Sequence, residues 1–275
     1  MTVVLAPLDG SKSALGALPI ARRLAELKQV PVRILHVSDA PAPLGETAAS
    51  LGLAAADLRG ATLEVRAGAP AEAILAAAAE NGATLIVMCG HAADARPGSL
   101  ISTAALAVLA GARCPVVLVD PARTPGGWTS RDWTLRRILA AHDGSPSISG
   151  ALAPAAELAG EAGAELVVLH VADEAGAREA GSMAPPRYID QLQHGWPAWS
   201  AEFLQRLACV CPLADVPVRL LVAQGEPAAE TLRVAGEVAA DLIVLACKGP
   251  WAASHAAALD SLLRGAPCPV MVTRG

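Results

Sequence analysis

The residues best suited to ligand chemistry lie in two short segments that each follow an apolar run. Asp9 ends the run 2–8, where its carboxylate could accept hydrogen bonds from a ribose or a base. Residues 88–92 end a later run, and a helix that begins near Ser102 would direct its unpaired amides and its dipole at the same place. Thr103 would add a hydroxyl. This combination of a helix amino terminus and a hydroxyl is typical of an anion-binding site. Asp9 also suits a purely structural role, in which it caps the following turn.

Other reactive residue types lack the spacing that catalysis or metal binding needs. Ser11 and Ser145 follow Asp-Gly, but neither lies in a Gly-x-Ser-x-Gly elbow, and no Walker sequence occurs. His36 and His170 fall inside apolar strands, which favours a core polar contact over a catalytic base. The Cys-Val-Cys at 209–211 has neither zinc nor redox spacing and favours buried thiols at a helix end. An enzyme is not indicated, beyond weak ATP hydrolysis as a third hypothesis.

The sequence contains an internal repeat, in which the same series of segments occurs twice. Residues 4–11 reappear at 138–145 and residues 34–37 at 168–171, both displaced by about 134. Residues 68–71 and 85–88 recur displaced by about 157, and residues 112–116 displaced by about 154. The second copy therefore has an insertion between its second and third strands and a shorter loop after its fourth.

Within a copy, short β-branched runs alternate with Ala- and Leu-rich stretches, which predicts βαβ units and a parallel sheet covered on both faces. The strands of the first copy are predicted at 2–8, 31–37, 62–67, 84–88 and 115–119. Pro19 falls where the first helix would be interior, so that helix starts late or kinks there. Glycines and prolines mark a linker, which gives domains at 1–121 and 134–275, joined by 122–133.

Composition excludes several classes of protein. Hydrophobic residues make up 53% of the chain and charged residues 17%, which argues against disorder. The net charge of −5 provides no basic field for nucleic acid. The charge-free window 97–112 is too short for a membrane helix, and no signal peptide is recognisable, so we expect a cytoplasmic protein without a membrane partner.

The insertion, around 173–212, holds most of the aromatic residues. Trp199, Phe203 and Leu207 follow helical spacing, which favours packing over a local core. The alternative is a lid or a surface for a protein partner through 183–203, because exposed aromatics are enriched at interfaces.

Both halves resemble the universal stress protein family across nearly the whole chain. The resemblance rests on an ordered set of motifs present in both copies: Asp-Gly-Ser after strand one, His-Val closing strand two, Gly-x-Pro-Ala before helix three, an apolar strand four and Cys-Pro-Val at strand five. It implies two five-stranded Rossmann-like α/β domains of strand order 3-2-1-4-5. It also implies pairing through strand five, so that 115–119 and 269–273 would form an intramolecular pseudo-dimer; a homodimer is a further expectation.

The resemblance also implies which residues would contact ATP or another adenine nucleotide, with Mg²⁺. The family motif is Gly-x-x-Gly, nine residues, then Gly and Ser or Thr; the first copy keeps the spacing but changes the glycines, whose added side chains would obstruct a phosphate. The implied positions of the first copy are Asp9, Val37, Met88, Cys89, His91, Ala92, Ser102 and Thr103. The weaker second-copy set is Asp143, Val171, Lys248 and Gly249.

The sequence thus predicts a tandem universal stress protein-like regulator of the stress response, whose first domain binds an adenine nucleotide. In the second copy the loop is shorter and Ala256-Ala257 replaces the Gly-Ser pair, so its phosphate cradle is expected to be incomplete. The alternative is a nucleotide-independent interaction or scaffold module in which both crevices have degenerated.

Overall fold

The computed structural model describes residues 2–40, 42–90, 101–120, 133–142, 150–172, 215–247 and 253–274, together with residues 203, 205, 207 and 209. The remaining residues, including 122–132 of the predicted linker, lie outside this description. Of residues 172 and 253–257 only the backbone is described.

The first half alternates strands and helices, as the sequence predicts. Its strands are β1 (Val3–Leu8), β2 (Val32–Val37), β3 (Ala61–Arg66), β4 (Ala83–Cys89) and β5 (Val116–Val119). Its helices are α1 (Lys12–Leu15), α2 (Leu18–Leu27), α3 (Leu44–Ser50), α4 (Pro70–Glu80) and α5 (Thr103–Gly111). The first long helix starts late, because Pro19 lies in the first turn of α2, where a missing backbone N–H costs nothing.

The second half repeats this order. Its strands are β6 (Arg137–His142), β7 (Glu165–Ala172), β8 (Val218–Gln224), β9 (Leu242–Cys247) and β10 (Val270–Arg274). Its helices are α6 (Leu152–Ala162), α7 (Pro227–Glu237) and α8 (Ala253–Gly265), and residues 203, 205, 207 and 209 are also helical.

The described strands form one ten-stranded sheet in the order β3-β2-β1-β4-β5-β10-β9-β6-β7-β8. The predicted order 3-2-1-4-5 is therefore confirmed in each half. All neighbouring strands are parallel except at the seam, where β5 and β10 run antiparallel and Val116, Val117 and Leu118 pair with Val272, Met271 and Val270. The pairing predicted between 115–119 and 269–273 is thus present.

Helices cover both faces of the sheet, and each face has one apolar core. The core on the side of α2 and α6 contains Val117 and Met271; the opposite core, under α4, α5, α7 and α8, contains Leu118 and Val270. Both cores therefore continue across the seam between the halves. Among the described residues, no helix is long and apolar enough to cross a bilayer.

Candidate functional site

The candidate site of the first half is the crevice expected at the carboxyl edge of the sheet, between β1 and β4. The recorded pairing of these strands ends at Leu5 with Ile86, although β1 continues to Leu8 and β4 to Cys89. On the other side, β1 stays paired with β2 as far as Leu8. Since strand order reverses here, this is the position where an open parallel sheet binds ligands.

The loop after β1 forms one wall of the crevice. Asp9 is exposed, and its Oδ1 accepts a 2.8 Å hydrogen bond from the Ser11 amide. Ser11 in turn caps α1, because its Oγ accepts from the Ala14 amide at 3.1 Å. Gly10 adopts a φ of +87°, which a side chain would disfavour. Asp9 therefore shapes the turn with one carboxylate oxygen, while the cap of the helix is Ser11.

The opposite wall includes the point where β4 and α5 meet, and residues 91–100, which join them in the sequence, lie outside the described part. The Gly90 amide donates to the Val119 carbonyl at 3.2 Å, and the Gly90 carbonyl accepts from the Ser102 amide at 2.8 Å. The end of β4 and the start of α5 are thus held next to each other by hydrogen bonds. Ser102 is the N-cap of α5, since its Oγ accepts from the Ala105 amide at 3.0 Å. The helix predicted to begin near Ser102 is therefore present, with its amino terminus at the crevice.

The remaining predicted residues of the first copy also fall on this edge. Val37 is half-buried at the end of β2, and Thr103 is exposed in the first turn of α5. The side chains of Met88 and Cys89 are each only 6% exposed, because they pack into the cores on opposite faces of the sheet. His91 and Ala92, which the sequence also places here, lie outside the described residues.

Two equivalent histidines tie the first two strands of each half together. Nδ1 of His36 lies 2.9 Å from the Leu8 carbonyl oxygen, and Nδ1 of His170 lies 3.1 Å from that of His142. A carbonyl oxygen only accepts, so each Nδ1 carries the proton and donates. The predicted core polar contact is confirmed for both.

The second half has the same opening, because the pairing of β6 with β9 ends at Ala140 with Val244. Val171 is half-buried at the end of β7, as Val37 is in the first half. The other predicted residues of this copy, Asp143, Lys248 and Gly249, lie outside the described part of the chain.

The inserted segment contributes to the core of the second half. Phe203 lies edge-on against the His142 ring, with centroids 5.2 Å apart and planes at 75°. Phe203 is 6% exposed and Leu207 is fully buried, both within the α6 core. Local packing is therefore confirmed for these two residues; Trp199 lies outside the description.

The cysteines do not form a reactive cluster in the part of the chain that the structure describes. Cys209 is exposed, so the prediction of a buried thiol is wrong there: its helical position faces away from the side that buries Phe203 and Leu207. Burial raises the pKa of Cys114 and Cys247, which keeps both thiols protonated near neutral pH. No group of three His, Cys, Asp or Glu side chains within the described ranges is arranged to hold a metal ion.

Comparison with known proteins identifies the duplicated unit. The model of the universal stress protein family matches residues 1–120 and again 134–274. The chain belongs to the universal stress protein family. Universal stress protein YxiE of Bacillus subtilis (strain 168) is 28% identical over 151 residues, which cover 50% of this chain and 98% of that protein.

Solved structures share the fold over the whole tandem. A universal stress protein from Archaeoglobus fulgidus DSM 4304 matches with a TM-score of 0.65 at 20% identity, covering 99% of this chain and 96% of that one. A functionally unknown protein from Pseudomonas aeruginosa PAO1 matches with a TM-score of 0.63 at 18% identity, covering 99% and 92%. This tandem universal stress protein therefore has structural counterparts of similar length.

Proposed function

We propose that this universal stress protein is a cytoplasmic stress-response regulator that binds ATP or another adenine nucleotide, with Mg²⁺, in the crevice of its first half. The observation that carries the proposal is the direction of the side chains that replace two family glycines. Cys89 packs into the core on the α2 side, and Ser102 is 2% exposed with its hydroxyl committed to the Ala105 amide. Neither substitution therefore adds an exposed side chain at this edge, which supports the binding of a phosphate there.

The walls of the crevice offer the chemistry that such a ligand needs. The amino terminus of α5 presents backbone amides and the positive end of the helix dipole, which suit a phosphate. Thr103 is an exposed hydroxyl in that first turn. Asp9 uses Oδ1 for its turn and has a second oxygen for ribose hydroxyls. Mg²⁺ is usually held by one or two carboxylates and the phosphates of the bound nucleotide, so Asp9 is the residue of the described wall that would contribute.

In this proposal the two halves act as an intramolecular pseudo-dimer with one working site. The antiparallel pairing of β5 with β10 and the two shared cores support that arrangement. The rival scaffold function has less support from the insertion, because Phe203 is used in packing and does not offer a surface to a partner.

Substitution of Thr103 tests the proposed phosphate contact. Thr103→Ala should weaken binding of ATP with Mg²⁺ by about tenfold, because a hydrogen bond to a charged group contributes about 1.5 kcal/mol, and should leave adenosine binding unchanged. Isothermal titration calorimetry measures both affinities. Thr62→Ala, at an exposed threonine of β3, is the matched control. Equal weakening of ATP and adenosine would exclude a phosphate role for Thr103.

A further inference from the structure

The second half contacts helix α5 and approaches Gly90, the two structural supports of the first crevice. At the end of β10, Nη1 of Arg274 donates a 2.6 Å hydrogen bond to the Ala110 carbonyl oxygen in the last turn of α5. On α8, Leu263 lies next to Gly90: a Cβ added to that glycine would be 4.0 Å from Leu263 Cδ1. Both residues of the second half therefore reach across the seam, where β10 pairs with β5.

The Arg274 contact acts on the opposite end of the helix that faces the crevice. Helix α5 has nine residues, so its ends are only about 13 Å apart and move as one rigid body. Ser102 and Gly90 hold its amino terminus, and Arg274 holds its carboxyl terminus. A cation at a helix carboxyl terminus also satisfies orphan carbonyls and opposes the dipole charge there.

The two halves differ at the position of Arg274. In the repeat, the position equivalent to Arg274 in the first half is Asp120, whose carboxylate cannot donate to a carbonyl at the end of α8. Arg274 also pairs in register with Cys247, the last residue of β9 at the edge of the second crevice. The backbone of Arg274 thus lies beside Cys247 of β9, and its guanidinium lies on α5, the helix at the first crevice.

We propose that Arg274 is a positioning residue, through which the second half holds α5 in the arrangement that binds ligand in the first half. This inference rests on the proposed nucleotide site for its ligand but makes a separate claim about α5. The second half then supports the binding site of the first half and does not itself bind a ligand.

Arg274 is exposed, so its replacement leaves the core intact, and Arg274→Met tests the inference in the full chain. Hydrogen exchange in the absence of ligand should become about threefold to fivefold faster at amides 104–106, the loss expected for one helix-terminal charge contact. Arg274→Lys, which keeps the cation, should restore most of the protection. Arg233→Met removes a surface arginine that pairs within α7 and should change nothing at these amides.

The same variants are then titrated with ATP and Mg²⁺, and Arg274→Met should weaken binding by the same factor. Unchanged exchange at 104–106 overturns the positioning role, as does faster exchange with unchanged ATP affinity. If no variant and no wild-type protein binds ATP while exchange rises as expected, the proposed nucleotide function fails and the contact to α5 stands. The experiment therefore distinguishes a failure of nucleotide binding from a failure of the positioning role of Arg274.

Discussion

Replacing Lys28 with methionine removes an ion pair that joins the two halves of the protein. Nζ of Lys28, at the end of α2, lies 2.9 Å from Glu157 Oε1 and 3.1 Å from Glu161 Oε1, both on α6. The Lys28 side chain is only 13% exposed, whereas that of Glu157 is 59% exposed. The pair is thus intermediate between exposed pairs, which contribute under about 1 kcal/mol, and buried pairs, whose disruption costs about 3 kcal/mol or more. We expect Lys28→Met to lose about 1–2 kcal/mol of unfolding free energy, since methionine keeps the packing of the stem.

Urea unfolding followed by circular dichroism measures this loss, with the slope of the transition checked for two-state behaviour. The control is Arg23→Met, which removes a more exposed pair with Glu26 within α2 and should cost less than about 0.5 kcal/mol. A loss for Lys28→Met no larger than that of the control would refute the role of this ion pair in joining the halves.

The pH dependence of the same variant gives a second test. Burial lowers the pKa of Lys28, but hydrogen bonds and charges from Glu157 and Glu161 outweigh it, so the pKa is raised above its usual 10.5. A raised pKa contributes stability that is complete below pH 10.5 and is lost as the pH rises through the pKa of the folded state. The stability difference between wild type and Lys28→Met should therefore be constant near neutral pH and shrink in strongly alkaline solution.

Two further predictions concern packing. Gly111→Ala should destabilise by up to about 2 kcal/mol, because the new Cβ would lie 2.5 Å from Leu75 Cδ1 and the overpacking outweighs the gain in helix propensity. Gly236→Ala, with nothing within 4 Å, should stabilise by about 0.5–1 kcal/mol; shifts of the same sign in urea unfolding would contradict this packing. Phe203→Ala should cost about 3 kcal/mol or more by removing the ring packed against His142. A loss below about 1 kcal/mol would mean that the insertion does not complete the core of the second half.

The repeat offsets and the continuous apolar runs were sufficient to predict the strands and their duplication. The strand order and the seam were predicted only from the resemblance to the universal stress protein family. Pro19 correctly indicated a late helix start, because a missing N–H is tolerated only in the first turn. Other features depend on tertiary contacts that leave no local pattern. The Arg274 hydrogen bond to Ala110 and the ion pair of Lys28 arise from the antiparallel seam, which brings together residues distant in the chain.

In the candidate site, too, some features could be predicted from the sequence and others could not. Asp9, Ser102 and Thr103 could be placed at one edge from spacing alone, since the carboxyl ends of parallel strands share an edge. The effect of replacing glycines could not be predicted, because it depends on which way each new side chain points. Cys89 packs into the core, and the Ser102 hydroxyl turns back to cap its own helix. The exposure of Cys209 was also missed, because the apolar stripe of the insertion fixes only the buried side of its helix.

Calorimetric titration of the full chain with ATP and Mg²⁺ shows directly whether the first half binds a nucleotide. A site in the first half alone predicts one nucleotide per chain, and adenosine should compete for it. No binding at millimolar nucleotide, or two equal sites per chain, would contradict the account of a single crevice supported by the second half.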